Sequence, residues 1–221
     1  MLLSRFKAIL FDMDGLMLDS ETVYHSAWQQ AVTELGYTFD SGLYLDLVGR
    51  SNAEAERLML EAFGGDFPVE TFRTDWTRHW QRRVQTQGMP TQPGLWELLD
   101  FLEAEQMPKA VGTSSNAAEA ALSLKSNRLW ARFSAIVTVD DVAAGKPAPD
   151  IFLLAAQRLG MSPSDCLVLE DSNAGVEAAV TAGCQVIMVP DLQTPTPDSQ
   201  ARALQVCESL HEVLAMLTGP S

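Results

Sequence analysis

Two carboxylates stand two residues apart in Asp12-Met13-Asp14, and two more are adjacent in Glu170-Asp171. Each pair follows a short apolar run, Phe6 to Phe11 in one case and Cys166 to Leu169 in the other. Runs of this kind make strands buried on both faces. Acids at strand ends put negative charge at the carboxyl edge of a sheet, where open α/β folds bind their ligands. Four carboxyls on one edge repel one another unless a cation or a shared proton neutralises them. A small set of hard oxygen donors suits Mg²⁺, which keeps several waters and binds phosphate oxygens. The plainer reading of Asp14-Gly15 is a strand-end turn, since both residue types are ordinary turn formers.

Two further stretches bear on the choice. In Gly145-Lys146-Pro147-Ala148-Pro149-Asp150 the prolines hold one lysine at a defined point ahead of a helix. Its ammonium can pair with a phosphate or offset clustered carboxylates, although a solvated loop lysine is the commoner fate. In Thr113-Ser114-Ser115-Asn116, at the end of a strand, a hydroxyl and backbone N–H groups can cradle a phosphate. The same serines and asparagine can simply cap the helix that begins near Ala117. Either Ser172 or Asn173 is placed to cap the helix after the second acid pair.

The elements that position these residues change character along the chain. From about Ser20 to Val84 the pattern is helical: Val23, Ala27, Trp28, Val32 and Leu35 before Gly36; then Ala55, Leu58, Met59, Ala62 and Phe63; then Phe72, Trp76, Trp80 and Val84. The four-residue aromatic repeat reads as core. Gln87 to Gly94, with two prolines and two glycines, reads as a linker. Strands at 109–113, 135–139, 166–169 and 185–189 then alternate with helices at 95–102, 117–124, 151–159 and 174–182, and a helix closes the tail by Leu217. Alternation implies right-handed crossovers and a parallel sheet. The expected architecture is α/β: a Rossmann-like parallel-sheet core of residues 1–18 and 88–221, helices on both faces, with a helical cap of residues 19–87 inserted after the first strand.

The 221 residues are 47% apolar and 20% charged, which fits a globular chain with one good core and a small satellite. A net charge of −14 disfavours nucleic-acid and anionic-membrane partners. A small phosphate ligand is still compatible, because a cation and a lysine reverse the potential locally. Three cysteines without metal-like spacing, and no signal peptide or membrane-length apolar run, point to reduced thiols in a cytoplasmic protein. A monomer is the simplest expectation.

Taken together, Asp12-Met13-Asp14-Gly15, Thr113-Ser114, Lys146 and Glu170-Asp171 match, in order, the four signature motifs of the haloacid dehalogenase superfamily of phosphotransferases. The chain most resembles its β-phosphoglucomutase-like phosphatase branch, through Asp12 to Glu21, Gly145 to Asp150 and Glu170 to Ala179. The resemblance spans the core; the inserted segment matches in size and helical character more than in residues. It implies Asp12 as the nucleophile that forms an aspartyl-phosphate, and Asp14 as general acid and then base. It implies Mg²⁺ held by Asp12, Asp14 (through its backbone carbonyl), Asp171 and Glu170. Thr113 and Ser114 would bind the phosphoryl group, Lys146 would neutralise it, and Asn116 and Arg50 are candidate substrate contacts. The implied reaction is Mg²⁺-dependent hydrolysis of a small phosphorylated metabolite, by default a sugar phosphate.

The alternatives differ in what they require. Dehalogenases lack an acid two positions after the nucleophile, and Asp14 is present. Phosphonate hydrolysis needs a cap lysine, and residues 20–84 contain none. A sugar-phosphate mutase would carry a cap histidine, which His25 matches with a displacement of one position, and cap cations, for which Arg50 and, less well, Arg73 are the candidates. A nucleotide phosphatase is a further alternative. A non-catalytic metabolite-binding homologue would lack a catalytic acid or the lysine, and none is lacking.

Overall fold

The structure, a computed structural model, describes residues 2–47 and 52–219. Arg50 lies outside the described residues. The chain divides into two compact units, Met1–Ser20 with Met89–Ser221, and Glu21–Gly88.

The first unit is a six-stranded parallel sheet: β1 (Ala8–Phe11), β2 (Lys109–Gly112), β3 (Ala135–Val137), β4 (Cys166–Glu170), β5 (Gln185–Met188) and β6 (Gln205–Val206), in the order β3-β2-β1-β4-β5-β6. The chain leaves β1 toward β2 and β3, then returns to place β4 on β1's other side, so the strand order reverses at β1 and β4. That reversal opens a crevice at the carboxyl ends of the two strands. Side chains alternate across the sheet. Ala8, Leu10, Cys166, Val168, Val186 and Met188 lie in one cluster with α7 (Asp150–Arg158) and α8 (Asn173–Thr181), which adds Ile151, Phe152, Ala155, Val176 and Ala179. The intervening residues Ile9, Phe11, Leu167, Leu169 and Ile187 are equally buried, and Phe11 meets Phe133 edge-on at 5.6 Å. Burial on both faces explains why these strands read as unbroken apolar runs. The remaining helices of this unit are α5 (Leu95–Ala104), α6 (Ala117–Ser126), α9 (Pro197–Arg202) and α10 (Leu210–Thr218), with α10 packed on α5.

The second unit carries α1 (Ser20–Glu34, its first residue in the sheet unit), α2 (Ser41–Leu47), α3 (Asn52–Phe63) and α4 (Val69–Gln87). Its core is aromatic: Phe39, Tyr44, Phe67 and Phe72 pack with Val32 and Met59. Tyr24 stacks on Trp80 at 5.9 Å, and Trp28 meets Phe72 edge-on. The four-residue aromatic repeat therefore is core.

Several boundaries differ from the sequence reading. The ladder begins at Ala8, not Phe6, because residues 2–5 form a 3₁₀ turn and Phe6 is buried by its side chain alone. The tail holds a further edge strand, β6, and a short helix, α9; two residues are too few to show an alternation. Helix α2 also escaped the periodicity. Among the described residues no helix is long and apolar enough to cross a membrane. Cys166, Cys184 and Cys207 are buried and unpaired, with burial pushing their thiols up to about 11, 12 and 11, so they behave as inert core residues.

Candidate active site

The acid pair of β1 begins one residue past the strand. Asp12 still donates its N–H to Leu169 O on β4 at 3.0 Å, which keeps it on the sheet edge. The chain then turns sharply: Leu18 N–H returns to Met13 O, and Gly15 N–H to Leu18 O at 2.8 Å. Gly15 sits at φ +85°, a conformation costly for other residues, and a Cβ there would overlap the Asp171 carboxylate. The glycine thus lets the β1 and β4 acid pairs approach. The segments leading into and out of the inserted helices are tied to each other in this unit, through a Leu18–Thr91 bridge and an Asp19 N–H to Pro90 O bond of 2.9 Å.

Lys146 arrives from the loop before α7. Its ammonium bonds the Asp12 carboxylate and, at 2.6 Å, Glu170 Oε1. It lies 4.8 Å over the Phe152 ring, and its side chain is only 4% exposed. The solvated-lysine reading is thereby excluded. Burial works against its charge, but the Asp12 and Glu170 carboxylates outweigh that and raise its pKa. Glu170 is fully buried and spends its second oxygen on Ser172, accepting from the backbone N–H and the hydroxyl, each at 2.9 Å. Ser172, not Asn173, caps α8 by accepting from Gly175 N–H at 3.0 Å. A Cβ at Gly175 would overlap the Glu170 carboxylate, so Glu170 lies in a cradle that only glycine leaves open.

One ammonium faces four carboxyls, and the pKa values of Asp12, Asp14 and Asp171 show the imbalance. Burial pushes Asp12 up to about 8, with Lys146 opposing and Glu170 adding to the rise. Asp171 is raised well above the carboxylate range by burial, then by Glu170 and Asp12. Asp14 is raised by burial and eased first by a hydrogen bond from Ser115 Oγ to its Oδ2, 2.6 Å long, and then by the Ser20 and Thr113 hydroxyls and the Lys146 charge; its Oδ1 is buried without a well-formed hydrogen bond. Carboxylate oxygens of Asp12, Glu170 and Asp171 lie within 4.8 Å of one another. An all-oxygen donor set with excess negative charge fits a small divalent cation.

The phosphate-cradle candidates divide. Thr113 is 1% exposed at the end of β2, and its Oγ1 accepts from Ser115 N–H at 3.0 Å. Ser114 is exposed on the same turn. Asn116 instead gives its side-chain oxygen to Glu119 N–H as the N-cap of α6, the alternative the sequence had offered for it. In the helical unit, Arg73 is engaged by Glu56 and Glu70, and His25 packs edge-on against Tyr44 at 4.7 Å. Ser115, Ser172 and Gly175 were not singled out as site residues. They stand inside quoted motifs, yet nothing in a string of small polar residues says which one reaches back to another strand.

The haloacid dehalogenase-like hydrolase model matches residues 9–189. A probable pseudouridine-5′-phosphatase of Drosophila melanogaster is 36% identical over 211 residues, covering 91% of this chain and 88% of that one. A phosphorylated carbohydrates phosphatase of Thermotoga maritima is 32% identical over 181 residues, covering 82% and 83%. Among solved structures, a candidate β-phosphoglucomutase from Thermotoga maritima superposes with a TM-score of 0.84 at 29% identity, covering 96% of this chain and 98% of that one.

Proposed function

This chain belongs to the haloacid dehalogenase-like hydrolase family, and from that premise we propose that this phosphoric monoester hydrolase cleaves small phosphate monoesters, sugar phosphates or similar metabolites, through an aspartyl-phosphate and with Mg²⁺. The observation that carries the reading is Asp12, buried at the strand reversal with Lys146 on its carboxylate and a second acid, Asp14, two residues on.

Phosphoryl transfer asks for an aligned nucleophile and for positive groups around the equatorial oxygens. Asp12 attacks phosphorus, forming a P–O bond to its carboxylate while the bond to the ester oxygen breaks. Asp14 gives the departing alcohol its proton. Asp14, now ionised, takes a proton from water as that water attacks phosphorus, which releases phosphate and restores the Asp12 carboxylate. Thr113 and Ser114 hold the phosphoryl oxygens, and Lys146 balances the charge shared by nucleophile and phosphate. Asp12, Asp171 and the Asp14 carbonyl, with Glu170 beside them, would hold Mg²⁺, which when bound supplies positive charge to the phosphoryl oxygens. We read the helical unit as the cap that selects the ester.

The test is phosphate release from a panel of sugar phosphates and nucleotides, with Mg²⁺ and with chelator. Metal-dependent release from one compound class, abolished by Asp12→Asn with the fold retained, is expected; turnover by that variant equal to wild type would sink the mechanism. Sugar-phosphate mutation is a second reading, favoured by the named activity of the superposed Thermotoga structure. It would show as interconversion of a sugar phosphate when a bisphosphate is added, without net phosphate release. Silence in both assays would favour a binding protein.

A further inference from the structure

We infer that Ser115 is a positioning residue, which holds Asp14 so that one defined oxygen exchanges the proton with the leaving group. This rests on the phosphatase reading above, in which Asp14 is the general acid.

The observation is a side-chain hydrogen bond across 101 residues of sequence, from Ser115 Oγ to Asp14 Oδ2 at 2.6 Å. It links the turn after β1 to the turn after β2. Ser115 is itself held on both sides of its backbone: its N–H donates to Thr113 Oγ1 at 3.0 Å, and its carbonyl accepts from Val139 N–H at 3.3 Å. The hydroxyl is therefore fixed by a turn that also carries Thr113, one of the phosphoryl contacts. The other Asp14 oxygen, Oδ1, is buried and makes no well-formed hydrogen bond, with the Ser20 and Thr113 hydroxyls also close to the carboxyl. A buried carboxyl oxygen without such a bond is unfavourable unless something else engages it. A substrate's ester oxygen would do so.

The physical consequence is selective. A carboxyl with a free side-chain torsion presents either oxygen in a spread of directions, and general acid catalysis decays quickly with misalignment. With Oδ2 occupied, the carboxyl can turn only by breaking a short hydrogen bond. The benefit appears only where a proton must be delivered. An alkyl ester leaves as a strongly basic alkoxide and needs that proton; a p-nitrophenyl ester leaves as a stable phenolate and needs it far less.

The experiment compares kcat/KM, which reports the step that cleaves the ester, for glycerol phosphate and p-nitrophenyl phosphate in wild type, Ser115→Ala and Ser115→Thr. For Ser115→Ala the alkyl ester should lose ~10–100-fold, and the aryl ester should lose a factor at least about tenfold smaller. Ser115→Thr, which keeps a hydroxyl, should restore most of the alkyl activity. Equal losses on both esters, no loss on either, or a Thr variant as impaired as Ala would each overturn the inference and leave the phosphatase reading intact. If the Ala variant does not fold, the Thr comparison alone decides, since a threonine at wild-type stability with the Ala-like preference for aryl esters would refute it. Wild-type protein inactive on both esters and on the metabolite panel would instead remove the premise.

Discussion

The two units handle charge in opposite ways. In the sheet unit, Asp12, Glu170 and the Lys146 side chain are buried together at the carboxyl ends of β1 and β4, and Lys109 is buried separately at the start of β2. In the helical unit no charged residue is fully buried among the described residues, and its ion pairs lie on the surface, as in Arg57–Glu61 at 2.6 Å with both side chains about 60% exposed. The interior there is filled by aromatic rings. Burying a charge is unfavourable and is tolerated only with partners. Its concentration at one sheet edge is hard to explain by stability, since apolar residues of similar size would do as well. It is what a site that must stabilise a transferring phosphoryl group requires.

The sharpest way to break this contrast is to remove the buried cation. Lys146→Met leaves Asp12 and Glu170 facing each other. We expect kcat/KM to fall ~10²–10³-fold, with a loss of stability below the ~3–5 kcal/mol of an uncompensated buried charge, because carboxyls already raised by burial take up protons. Steady-state kinetics and urea unfolding would check both; a variant keeping a tenth of its activity would show that the buried pair is not part of the chemistry.

Gly175→Ala tests how tightly that edge is packed. Alanine in a helix is favoured over glycine by ~1 kcal/mol, so on propensity alone the change should stabilise α8. Here the new methyl meets the Glu170 carboxylate, which Lys146 and Ser172 hold in place. Overpacking of ~1–3 kcal/mol should win, and displacement of Glu170 should cut kcat/KM by roughly tenfold or more. A variant more stable than wild type, with full activity, would mean that Glu170 moves without consequence.

A smaller effect is expected at Asp141. The Thr138 N–H, and then Arg158, hold its carboxyl below the usual range. A lowered folded-state pKa stabilises above the unfolded value, near ~3.9, and that stability is lost as the pH falls through the folded value. Asp141→Asn should therefore destabilise by about 1 kcal/mol at neutral pH, less what solvent screening removes. Thermal melts of the two proteins should converge as the pH drops below about 4. At the far end, Arg57→Ala on the helical surface should shift stability by less than ~0.5 kcal/mol and leave kcat/KM unchanged. A large loss there would erase the distinction between the units.

Much of the site was legible because its residues are short-range punctuation. Asp12, Glu170 and Asp171 stand directly after strands that are apolar on both faces, and such strands have a recognisable signature. Lys146 was marked by the prolines around it, though only its burial against Asp12 and Glu170 separates it from a solvated loop lysine. Asn116 shows the reverse. Its type and place suited either a ligand contact or a cap, and the bond to Glu119 N–H shows the cap.

Sequence alone determined the alternation of strands and helices, the two acid pairs at strand ends and the helical character of the inserted segment, because these depend on residue type and local periodicity. Only the tertiary structure decided that β1 and β4 are neighbours, that Gly15 and Gly175 leave room for the Asp171 and Glu170 carboxylates, and that Ser115 reaches Asp14. Apart from Gly175 and Glu170, which are near in sequence, those facts join residues 101 to 158 positions apart in the chain at a few ångströms in space, and strand order, which no local pattern encodes, brings them together.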